Sequence, residues 1–90
     1  MVVFILEKVP ASVRGELSRW LLELRPGVFV GKVSALVRDE LWTFLIPKLK
    51  GGSAVLIYPT NNEQGFAFRS EGNPGRTLRD FEGLFLISIQ

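Results

Sequence analysis

Residues 2–6 read Val2-Val3-Phe4-Ile5-Leu6, an unbroken apolar run of β-branched, aromatic and aliphatic side chains. Such a run has no polar face to give to water, so it reads as a central strand covered on both sides. Glu7 and Lys8 end it, and Pro10 stops further pairing. Working outward, Ser12 suits a helix N-cap, and Val13, Leu17, Trp20, Leu21 and Leu24 follow at helical spacing. Pro26-Gly27 then places the end of that helix near Arg25.

Val28 to Val33, interrupted by Gly31, predicts a second strand. Ser34 caps a second helix with Val37, Leu41, Phe44 and Leu45 as its buried stripe, and Pro47 stops or kinks it. Trp20 on one stripe and Trp42 close to the other read as core or interface residues. Ala54 to Tyr58 is apolar throughout and predicts a third strand. Pro59-Thr60-Asn61-Asn62-Glu63 is turn chemistry, and Gly65 to Arg69 returns as a fourth strand in a hairpin. Ser70 to Asp80 reads as a polar loop, and Leu84 to Ile89 as a last strand. Two helices against one small sheet, in one domain over residues 1–90, make an α+β two-layer sandwich of ferredoxin-like kind. A late strand behind a long loop is placed to pair at an edge, within the chain or across a dimer.

Composition narrows the chemistry. The 90 residues include no Cys and no His. That removes ordinary zinc, haem and iron–sulfur ligation, thiol nucleophiles and histidine triads. A small domain with no disulfide fits reducing cytoplasm. The first residues lack a basic leader pattern, and no stretch approaches membrane-spanning length. Hydrophobic residues make up 47% of the chain, generous for so small a domain: either the core is unusually rich, or apolar surface is kept for a partner or a second copy. Net charge is +2 with a sequence pI near 9.4, a mild lean toward polyanions.

Individual residues carry competing readings. Glu7, at the end of a central strand, is either a solvated carboxylate or half of a paired-carboxylate magnesium site completed across a two-fold. Asp80 and Glu82, two apart on an extended chain, share one face and serve a metal, a partner or solvation. Arg14, Arg19, Arg69, Arg76 and Arg79 are candidate phosphate contacts or solubilising surface. Of these, Arg14 stands in a helix's first turn and Arg76 on an Asn-Pro-Gly loop tip. Phe66 and Phe68 read as hairpin packing rather than a base-stacking platform.

Several stretches taken together resemble a known family. They are Glu7-Lys8-Val9-Pro10, Arg14-Gly15, Trp20-Leu21-Leu22-Glu23, the run Pro26 to Ala35 (Pro-Gly-Val-Phe-Val-Gly-Lys-Val-Ser-Ala), Thr60-Asn61-Asn62-Glu63-Gln64-Gly65-Phe66, Arg76-Thr77 and Asp80-Phe81-Glu82-Gly83-Leu84. In this order and spacing the chain resembles CRISPR-associated protein two in its subtype I-E form. The resemblance implies a ferredoxin-like homodimer that bridges dimers of the integrase subunit, CRISPR-associated protein one, during capture of foreign double-stranded DNA as spacers. It implies phosphate contacts at Arg14 and Arg76 and integrase-docking acids at Glu63, Asp80 and Glu82. The wider family also carries the name endoribonuclease, with magnesium between strand-end carboxylates. That position matches Glu7, where the wider family has Asp. A structural DNA-integration subunit is therefore the leading expectation, a magnesium-dependent endonuclease acting through Glu7 the alternative, and a small-molecule regulatory domain the third.

Overall fold

The computed structural model describes residues 1–72. Its elements are β1 (Val2–Glu7), α1 (Ala11–Ser18), β2 (Leu22–Arg25), β3 (Val28–Gly31), α2 (Ala35–Leu45), a short 3₁₀ turn (Ile46–Lys48), β4 (Ser53–Pro59) and β5 (Phe66–Gly72). The sheet order is β2-β3-β1-β4-β5, with every neighbouring pair antiparallel. The first four strands and two helices give the β-α-β-β-α-β order of a ferredoxin-like fold, and β5 extends the sheet beyond β4.

β1 is central, as its apolar run requires. Phe4 lies opposite both Phe29 and Leu56, and these three side chains are fully buried. They form one core with Val13 and Leu17 of α1 and Leu41 and Leu45 of α2. The alternate residues point to the other face of the sheet. Val3, Ile5, Val28, Val30, Ile57 and Phe68 stand there in cross-strand register, all apolar and all half-buried.

Several expectations need correction. The first helix is capped at Pro10, not Ser12, and ends at Ser18. Residues 22–25 are strand β2, not helix, and Leu24 is exposed rather than core; Trp20 is exposed too, which leaves only the interface half of its reading open. The physical reason lies in the sequence Leu22-Glu23-Leu24-Arg25, whose period is two. Pro26-Gly27 is accordingly the turn of the β2–β3 hairpin, in the Pro-then-Gly order of a type II turn, with Gly27 at φ +82. β3 stops at Gly31, short of Val33, and Ser70 to Gly72 belong to β5 rather than to a loop. The second helix behaves as expected, with the Ser34 hydroxyl accepting the Val37 N–H at 3.1 Å. The expected last strand lies outside the described residues, as do Arg76, Asp80 and Glu82.

Candidate nucleic-acid and partner interface

The carboxyl end of β1 gathers the chemistry. Lys8 leaves the strand in the left-handed region at φ 57, and α1 starts three residues later. Gly52 lies close under this bend, since a Cβ there would strike the carbonyl oxygens of Glu7 and Lys8. The β2–β3 turn closes on the other side, with the Leu6 N–H donating to the Gly27 carbonyl at 2.8 Å. An open cleft of ≈ 230 Å³ results, lined by Leu6, Lys8, Val9, Arg14, Pro26 and Gly27. Its size is below that of most cofactor sites, but an open cleft with two cations suits a phosphate.

Arg14 is placed there by the first turns of α1, and its Nη2 donates to Glu23 Oε2 at 2.7 Å. The same oxygen accepts the Gly27 N–H at 3.0 Å. That backbone bond first, and the Arg14 bond after it, hold the Glu23 carboxyl below its ordinary range. Glu23 is the residue that sequence reasoning missed, because it was assigned to a helix. The alternation of residues 22–25 was the available signal. No ion pair to Lys8 exists among the described residues.

Glu7 sits on the helix-free face, in register with the buried Ser53. Its Oε1 is buried without a hydrogen-bond partner among the described residues. Among the described residues, no three acidic side chains come together as a metal-binding group. Glu7 thus presents one buried carboxylate oxygen that no donor among the described residues satisfies.

Glu63 is at the opposite end of the sheet, in the β4–β5 turn. That turn is locked by Asn62, whose Nδ2 donates to the Phe66 carbonyl and whose Oδ1 accepts from Gly65 N, both at 2.8 Å. The exposed Glu63 is thus held on a fixed tip, remote from the Lys8–Arg14 cleft.

Arg69, a candidate phosphate contact by sequence, belongs to a cluster invisible in the sequence. The Arg38 and Arg69 guanidinium groups lie 4.4 and 4.9 Å from the centroid of the Tyr58 ring. Both also donate to Asp39 Oδ1, at 2.9 and 3.0 Å. These bonds, Arg38 first, keep the Asp39 carboxyl below its ordinary range.

Residues 1–86 match the family model described as CRISPR-associated protein (Cas_Cas2CT1978). The chain belongs to this CRISPR-associated family. The match agrees with the resemblance to CRISPR-associated protein two and spans both the Lys8–Arg14 cleft and the Glu63 turn. No helix among the described residues is long and apolar enough to cross a membrane.

Proposed function

We propose that this protein is a structural subunit of a CRISPR adaptation complex of the subtype I-E form. It acts as a two-fold dimer that bridges dimers of the integrase subunit, CRISPR-associated protein one, and holds double-stranded protospacer DNA by its phosphates. The observation that carries this reading is the sheet face opposite α1 and α2, where Val3, Ile5, Val28, Val30, Ile57 and Phe68 stand half-buried in cross-strand register among the described residues. A second copy applied there gives each protomer the covering layer that a two-layer sandwich leaves off. Lys8 and Arg14 supply phosphate contacts at one end of the sheet, and Arg76, outside the described residues, is a further phosphate contact. Glu63 supplies an acidic docking contact at the other, with Asp80 and Glu82 as further acids.

The test is mass and capture together. Light scattering at micromolar concentration gives twice the chain mass, and the Ile5→Asp variant gives a monomer. The integrase subunit from the same genome co-purifies with wild type, and much less with Glu63→Arg/Glu82→Arg, whose dimer stays intact. A wild-type monomer that captures no integrase subunit overturns the proposal.

The orphaned Glu7 oxygen favours a second reading, magnesium-dependent phosphodiester hydrolysis by a dimer. Two Glu7 carboxylates would hold the ion, which supplies an activated water when bound. The bridging reading expects Glu7→Gln to acquire spacers at near wild-type frequency. Loss of acquisition with dimer and partner binding preserved selects the nuclease.

A further inference from the structure

A second cleft lies on the helix layer, between α1 and α2, away from the Lys8–Arg14 end. It is ≈ 110 Å³ and lined by Glu16, Trp20, Val37, Glu40, Leu41 and Phe44. Trp20 is 47% exposed, which leaves a large apolar ring in water without a packing reason. Leu36, one turn before Glu40 on α2 and outside the cleft lining, is a further exposed apolar side chain at 68%. Two carboxylates rim the cleft, although the chain as a whole is basic at +2. A phosphate backbone is repelled here, whereas a cation is attracted.

We propose that this cleft binds a peptide segment of a partner protein through an arginine side chain flanked by an apolar residue. The volume admits a side-chain head and part of its stem and is well below that of a cofactor pocket. A planar guanidinium stacks on the indole of Trp20 while its N–H groups reach carboxylates on either side. Phe44 is less available, because Lys48 Nζ already sits 4.3 Å from its ring centroid. Glu16 holds Arg19 at 3.3 Å and the Trp20 indole N–H at 3.5 Å. An exposed pair of that kind is weak and exchanges readily for an incoming arginine. Among the described residues Glu40 has no ion pair at all. The flanking apolar residue of the peptide covers Leu36.

The experiment titrates ¹⁵N-labelled full-length protein with a capped Ala-Leu-Arg-Leu-Ala peptide and with the same peptide carrying citrulline, the neutral isostere of arginine. The Trp20 indole signal, assigned with Trp20→Phe, and the amides of Val37, Leu41 and Phe44 shift and saturate with the arginine peptide. The citrulline peptide binds roughly tenfold more weakly, and Glu16→Gln/Glu40→Gln weakens the arginine peptide by a similar factor while keeping its folded amide spectrum. Equal binding of both peptides, or shifts confined to another face, overturns the proposal. So does absence of shifts at millimolar peptide, or concentration-dependent shifts at Trp20 without peptide, which would make the occupant a second copy. None of these outcomes depends on whether the helix-free face dimerises.

Discussion

Arg14 and Glu23 meet at 2.7 Å, and the Glu23 oxygen involved also takes the backbone N–H of Gly27. One carboxylate thereby ties α1 to the β2–β3 turn and aims a guanidinium along the cleft wall. The pair is exposed, so its contribution to stability is small. Its effect is positional, since it fixes which way Arg14 faces and sets an acid beside the proposed phosphate contact.

The lowered Glu23 pKa has a defined consequence. A carboxyl whose pKa is depressed by folding stabilises the fold above its unfolded pKa, and that contribution is lost as pH falls through the folded value. Glu23→Gln removes the titration. Denaturation midpoints measured from neutral pH down through the carboxylate range should fall less steeply for Glu23→Gln than for wild type. Identical slopes would show that the hydrogen bonds to Glu23 do not persist in solution.

Gly27 makes a sharper prediction about the same turn. Its φ is +82, and a Cβ there would run into the Leu6 carbonyl oxygen. Both the left-handed backbone and the contact oppose any side chain. Gly27→Ala should cost about 1–3 kcal/mol, seen as a lower denaturant midpoint with little change in slope.

Tyr58 is flanked by two guanidinium groups that Asp39 holds together. Each cation–π contact at a partly exposed site is worth about 0.5–1 kcal/mol, so Tyr58→Leu should cost roughly 1–2 kcal/mol. A double-mutant cycle with Arg38→Gln should show coupling between the two positions. Strict additivity would mean that the stacked geometry is not populated.

The parts of the fold that were legible are those with a local signal. The Val2–Leu6 run, the Ser34 cap and the Pro59–Glu63 turn each carry their own physics within a few residues. β2 was obscured because Leu17, Leu21 and Leu24 happen to keep helical spacing across a helix-to-strand change. Gly15 weakens that helix, which ends at Ser18, and the two-residue alternation from Leu22 marks the start of β2. The Tyr58 cluster was out of reach, since it depends on register placing Arg69 opposite Leu56 and on α2 lying over that edge. Arg14 was legible as a cation, but its partner Glu23 was not, because their meeting follows from a hairpin that the sequence reading did not contain.

The proposed DNA contacts are tested by salt dependence. A scaffold that accepts any foreign sequence should bind phosphates and not bases. Each phosphate contact contributes about 0.9 to the slope of log affinity against log salt, and a two-fold doubles each residue. Arg14→Ala and Arg76→Ala should each lower that slope by roughly two for the complex with the integrase subunit. Glu23→Gln should act in the opposite sense. It removes the carboxylate that competes for Arg14, so affinity should rise at every salt concentration, and Arg14→Ala in that background should abolish the gain. All these changes should be alike on two duplexes of unrelated sequence. A loss confined to one duplex would mean base reading, and a Glu23→Gln variant that binds DNA no more tightly than wild type would place Arg14 away from the phosphates.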